Sequence, residues 1–145
     1  TTLVFRMLYE LTGEQGYLDW IKRLARGIIR AGAPEKNSWG YWASNCQCCG
    51  APGVLEHFVS VYELTGEEEF LEYAKRTADV LVGDSQLLDG KRRWMSAWNR
   101  PTPEVVKSFT GFYVGSAGGS SSLLKLYSAL ENKPFTDIFE YIYFD

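Results

Sequence analysis

Basic residues are too few to outweigh acidic ones. Fifteen Lys and Arg stand against eighteen Asp and Glu, a net charge of −3 with a pI near 5.2. Binding along a phosphate backbone needs a basic stripe, so nucleic acid is not an expected partner. Long hydrophobic runs are missing as well. The apolar stretches are a few residues each, far short of the roughly 18–20 that cross a bilayer, so no membrane helix is expected. The chain opens Thr1-Thr2-Leu3-Val4-Phe5-Arg6, without an initiator Met or the basic-then-apolar order of a secretion signal. We read it as starting inside a longer protein. Histidine occurs once, at His57, and cysteine three times, all within Cys46-Gln47-Cys48-Cys49. An odd, crowded set of thiols suits a metal or a reactive thiol better than a disulfide framework, and reads as a reducing, cytoplasmic compartment. With 46% hydrophobic and 23% charged residues over 145 positions, the chain is too apolar for disorder and long enough for about one domain.

The chain does contain an internal repeat. Tyr9-Glu10-Leu11-Thr12-Gly13-Glu14 recurs identically 53 positions later as Tyr62-Glu63-Leu64-Thr65-Gly66-Glu67, and Leu18, Lys22, Arg23 and Ala25 recur as Leu71, Lys75, Arg76 and Ala78. A third, degenerate copy lays Gly50-Ala51-Pro52-Gly53 on Gly115-Ser116-Ala117-Gly118, an offset of 65 that carries Tyr62 to Tyr127. Each unit reads as two helices. Val54, Phe58, Val61 and Leu64 fall on one helical face, and Gly66 suits the left-handed position that ends a helix. The next helix opens on Glu67, Glu68 and Glu69, which favour a helix N-terminus, and carries Phe70, Ala74, Ala78 and Leu81 on one stripe. Leu18, Ile21, Ala25 and Ile28 or Ile29 repeat that stripe in the earlier copy. The intervening segments, 33–49 and 83–110, read as long loops.

Hairpins with a glycine pair at one helix start per unit predict an all-α array stacked side by side. The glycines Gly50, Gly53, Gly115 and Gly118 allow helix ends to converge closely, which favours an α/α toroid. The first copy lacks its glycine pair, so the chain reads as about two and a half hairpins of a larger ring, a partial arc with apolar flanks left uncovered.

Cys46, Cys48 and Cys49 lie directly before a helix N-terminus, where backbone N–H groups favour thiolates. The repeat supplies a control, because the positions matching Cys48 and Cys49 in the last copy are Tyr113 and Val114. The scaffold does not require cysteine there. Two adjacent thiolates can both bind zinc, which takes sulfur and nitrogen ligands and in catalytic sites keeps one position open. Cys48 and Cys49 supply two ligands, and Cys46 is a third if the tight geometry allows it. Small cysteines that merely pack are the competing reading.

Cys48-Cys49-Gly50-Ala51-Pro52-Gly53, followed by an amphipathic helix and Tyr-Glu-Leu-Thr-Gly, resembles the lanthionine synthetase C-like family, which includes the cyclase domains of lanthipeptide synthetases. The resemblance runs from Tyr9 to the end of the chain, with Gly111-Phe112-Tyr113-Val114-Gly115-Ser116-Ala117-Gly118 as the final glycine-pair helix. It implies that residues 1–145 are the C-terminal part of one α/α toroid. It implies further that Cys48 and Cys49 match the Cys-Cys-Gly variant of the family's Cys-His-Gly zinc motif. The third zinc cysteine, and the acid and base residues, are implied to lie upstream. The implied chemistry adds a zinc-activated cysteine thiolate to dehydroalanine or dehydrobutyrine in a peptide substrate and protonates the resulting enolate. A thioether ring is the product. A relative that adds a small thiol to dehydrated residues is the variant of this reading.

Other residues carry weaker signals. His57 lies about two helical turns beyond Cys49, roughly 11–12 Å along an α-helix, and reads as structural. Trp39, Tyr41, Trp42, Trp94 and Trp98 crowd the long loops and read as packing, with peptide contact as the alternative. Arg92, Arg93 and Arg100 read as surface ion pairs or contacts to an acidic leader peptide. A carbohydrate-active toroid would need two facing carboxylates, and nothing in the spacing of Glu56, Asp84, Asp89 and Glu104 pairs them. A non-catalytic helical scaffold would need no metal at all.

Overall fold

A computed structural model describes residues 2–36, 44–97 and 104–136. Trp39, Tyr41, Trp42, Trp98 and Arg100 lie outside the described residues. The chain is mainly helical. Helices α1 (Thr2–Thr12) and α2 (Gln15–Arg30) form one antiparallel hairpin, α3 (Ala51–Thr65) and α4 (Glu68–Gly83) a second, and α5 (Ser116–Leu130) follows. The 53-residue repeat holds at the level of individual bonds. The Gly13 N–H donates to Tyr9 O at 2.8 Å and the Gly66 N–H to Tyr62 O at 2.7 Å. Both glycines take positive φ, 70° and 67°, the left-handed position that glycine fills without a Cβ penalty. In each turn the threonine hydroxyl, Thr12 or Thr65, donates to the carbonyl four residues back and accepts the backbone N–H two residues on.

The core sits on the α3–α4 hairpin. Leu55, Phe58, Val59, Val61, Phe70, Ala74 and Leu81 are fully buried there, and Ile21 and Ala25 of α2 and Leu126 of α5 join them. Burial of each large side chain stabilises by about 1.5–3 kcal/mol. The predicted stripe of Phe70, Ala74, Ala78 and Leu81 is buried throughout, as are Leu18, Ile21 and Ala25 in the first copy. Val54 and Leu64 are only half-buried, and α3 starts at Ala51, ahead of Gly53. Between the hairpins, Arg26 pairs with Glu67 at 2.5 Å and Glu69 at 3.1 Å.

Both outer members of the array show apolar side chains. No residue of α1 is buried, and Leu3, Val4 and Leu11 are exposed. On α5, Leu124 is 57% exposed, although its counterpart in α3, Val59, is fully buried.

The segment read as a long loop, 83–110, contains two antiparallel ribbons. Strands β1 (Gln86–Leu88) and β2 (Lys91–Arg93) pair across a turn at Asp89-Gly90, and β3 (Met95–Ala97) pairs with β4 (Val106–Ser108). Asp89 and Gly90 both take positive φ, 50° and 72°, the geometry that two-residue hairpins use and that Asp-Gly supplies. Trp94, between the ribbons, is 3% exposed and donates its indole N–H to Leu81 O at 2.7 Å. It packs, as its sequence context predicts.

Candidate metal centre

The turn before α3 is shaped by two glycines that could not be anything larger. A Cβ on Gly50 would lie 1.9 Å from Ser44 O, and one on Gly53 would lie 2.2 Å from Gln47 O. The backbone thus folds back on itself within van der Waals reach. The Ala51 N–H donates to Ser44 O at 3.0 Å and the Gly50 N–H to Cys46 O at 2.9 Å, which closes residues 44–50 into one loop over the start of α3. The same frame recurs before α5. There a Cβ on Gly115 would lie 2.4 Å from Phe109 O and one on Gly118 2.0 Å from Phe112 O, and the Ser116 N–H donates to Phe109 O at 2.8 Å. The weak third copy in the sequence is a full structural copy of this turn.

The loop before α3 gathers all three thiols. Cys46 Sγ lies 3.0 Å from Cys49 Sγ and 3.6 Å from Cys48 Sγ, and Cys48 and Cys49 are 3.9 Å apart. All three sulfurs fall within 4.8 Å of one another and can hold a metal ion. Cys46 is buried, whereas Cys48 and Cys49 are exposed, so one side of the cluster faces the solvent. Cys46, offered by the sequence only as a possible third ligand beside Cys48 and Cys49, thus lies in the same cluster.

The thiols do not titrate alike. Burial pushes the Cys46 thiol up, but hydrogen bonds from Ser44 at 2.9 Å and from Cys49 outweigh it and hold Cys46 below the usual thiol range. Loss of water around its sulfur, together with hydrogen bonding and charge from Cys46, pushes Cys48 up to about 12. The sequence expectation that the helix start would favour every thiolate therefore does not hold for Cys48, where loss of water, with negative charge on a neighbouring sulfur added to it, outweighs the helix end. A bound cation reverses that repulsion, because metal ligands must be deprotonated thiolates.

Three elements hold the loop. The Gln47 N–H donates to Tyr113 O at 2.8 Å. Its side-chain amide donates to Glu56 of α3 and accepts from the Ser122 hydroxyl of α5 at 3.0 Å. Asn45 donates to Met95 O of β3 at 3.3 Å. Further along α5, Lys125 is 4% exposed and donates to the Ser60 hydroxyl of α3 at 2.9 Å. Ser44, Gln47, Ser122 and Lys125 had no signal in the sequence beyond the position of Gln47 between cysteines.

His57 points elsewhere. It borders an open cleft of about 240 Å³ with Thr2, Leu24 and Ile28 of the first hairpin. Its Nε2 is buried without a hydrogen-bond partner among the described residues, and burial pushes it down to about 4. It is not part of the thiol cluster. Arg92 donates to the Ser85 hydroxyl at 2.6 Å. Asp84, Asp89 and Glu104 are exposed at separate turns, while Glu56 is half-buried on α3. No helix is long and apolar enough to cross a membrane among the described residues. The chain matches no family model and no curated protein.

Proposed function

We propose that this chain carries the metal centre of a zinc-dependent, thioether-forming cyclase-like protein that acts on dehydrated peptides, or on a small thiol and a dehydrated residue, in a reducing cytoplasmic compartment. The observation that carries the reading is the three-thiol cluster at the start of α3, set on a turn whose thiol-free copy precedes α5. The fold builds that turn without cysteine, so the thiols answer a chemical need. A donor set of soft sulfurs suits zinc among common divalent ions.

Cys46, Cys48 and Cys49 would hold the ion, with the exposed side of Cys48 and Cys49 left for a substrate. Zinc there would stabilise a substrate cysteine as its thiolate near neutral pH. Ser44 hydrogen-bonds Cys46, and Gln47, fixed by Glu56 and Ser122, keeps the loop in one conformation. Such partners beyond the ligands orient them and typically matter 10–100-fold in metal affinity. In the same reading, the hairpins continue around a closed α/α toroid.

The test is zinc content per chain, measured by elemental analysis on the wild type and on the Cys48→Ser/Cys49→Ser variant. Stoichiometric zinc that disappears in the variant supports the reading, and zinc content indifferent to the two substitutions overturns it. Consumption of the free thiol in a dehydrated peptide, read by thiol alkylation at unchanged peptide mass, then separates cyclisation from simple metal storage.

A further inference from the structure

The three thiols are not equivalent, and their inequality suits a reaction besides metal binding. Cys46 and Cys49 form the closest pair, 3.0 Å between sulfurs, against 3.6 and 3.9 Å for the others. A disulfide is about 2.05 Å long, so closure needs about 1 Å of movement, within reach of side-chain torsions alone. Both residues sit on the single turn closed by the Gly50 N–H to Cys46 O bond, which holds the two sulfurs 3.0 Å apart. The pair Cys48–Cys49 is adjacent in sequence, and bonding it closes a small strained ring. Access is divided as well, since Cys49 is exposed while Cys46 is 6% exposed.

We propose that Cys49 is a modification site for small-molecule disulfides, and that Cys46 resolves the adduct into a Cys46–Cys49 disulfide within the loop. The Cys49 thiolate attacks one sulfur of R–S–S–R, that S–S bond breaks, and one RS⁻ leaves and takes a proton from water. The Cys46 thiolate, its proton passed to solvent, then attacks the Cys49 sulfur and expels the second RS⁻ as RSH. Two protein thiols are oxidised and one disulfide is reduced to two thiols. Cys48 remains as the single thiol of the loop. Two of three metal ligands are withdrawn together, a consequence that rests on the metal reading above, whereas the bond itself does not.

Incubation of the metal-free full chain with glutathione disulfide, followed by intact-mass and fragment analysis, tests the chemistry. The wild type loses two hydrogens, retains no glutathione and links Cys46 to Cys49. Cys46→Ser retains a single glutathione on Cys49, and Cys48→Ser behaves as the wild type. Persistent glutathione on the wild type, a bond that involves Cys48, or the same product mixture from the denatured chain overturns the proposal. A second arm treats zinc-loaded chain in the same way and follows metal release with a coloured chelator. Release in step with the bond supports both readings. A Cys46–Cys49 bond that forms in the loaded chain while zinc stays bound overturns the three-thiol metal reading and leaves the modification site standing.

Discussion

Before α3, Ser44 O accepts the Ala51 N–H. Before α5, Phe109 O accepts the Ser116 N–H. In both turns a glycine pair lies so close to carbonyl oxygens that a Cβ would overlap them. The backbones are one design, yet the first carries Cys46, Cys48 and Cys49 where the second carries Gly111, Tyr113 and Val114. Frame and chemistry are thus separable in this protein. The frame follows from steric exclusion of every residue but glycine, and the chemistry follows from three side chains that the frame does not need. The two turns also touch, through Gln47 and Tyr113, so the thiol-free copy abuts the thiol-bearing one.

Substituting the glycines gives the largest expected effect. Gly50→Ala and Gly115→Ala both force backbone apart and should each destabilise by about 3 kcal/mol or more, read as a drop in denaturation midpoint. Only Gly50→Ala should also abolish metal binding at temperatures where both variants stay folded. Equal loss of metal in the two would break the separation of frame from chemistry.

The second effect concerns the position that is His57 in α3 and Ser122 in α5. Burial holds the folded His57 at about 4, below the roughly 6.5 of an unfolded chain. The unfolded state therefore binds the proton first as pH falls. The stabilising contribution is complete above about pH 6.5 and is lost progressively toward pH 4, by about 2–3 kcal/mol in all. His57→Gln should flatten that part of the stability–pH curve, and a curve unchanged by the substitution would show that His57 is solvated.

Ser122→Ala removes the hydroxyl that donates to Gln47. It should cost about 1 kcal/mol of stability and weaken zinc binding by about tenfold in competition with a chelator, whereas Ser120→Ala, exposed on the same helix, should do neither. The smallest effect is expected for Glu69→Ala, which breaks an exposed pair with Arg26 and should change the denaturation midpoint by less than about 1 kcal/mol in equivalent stability.

Much of the fold was legible because turns and close approaches constrain residue type tightly. Tyr-Glu-Leu-Thr-Gly-Glu recurs because the threonine and the glycine each make a specific bond in the α1–α2 and α3–α4 turns. The third copy kept only glycines, and they sufficed, since nothing else fits against Phe109 O and Phe112 O. The ribbons were missed because the segment is rich in Gly, Pro and Trp, although Asp89-Gly90 was there to mark one of them. At the site, the thiols were visible as a cluster. The polar groups that hold them were not, because Gln47 and Ser122 stand 75 residues apart and neither belongs to a pattern with a period. The unequal titration of Cys46 and Cys48 was hidden for a related reason, since it depends on burial, on the Ser44 hydroxyl and on the distances between sulfurs within one turn.

That long-range bond has a consequence for the birth of the protein. Chains emerge from the ribosome N-terminus first, at about 5–20 residues per second, so Gln47 precedes Ser122, 75 positions on, by on the order of 4–15 s. For that interval the cysteines have left the ribosome while the helix that steadies their loop has not. A nascent chain therefore presents all three thiols before Ser122 is there to hold Gln47.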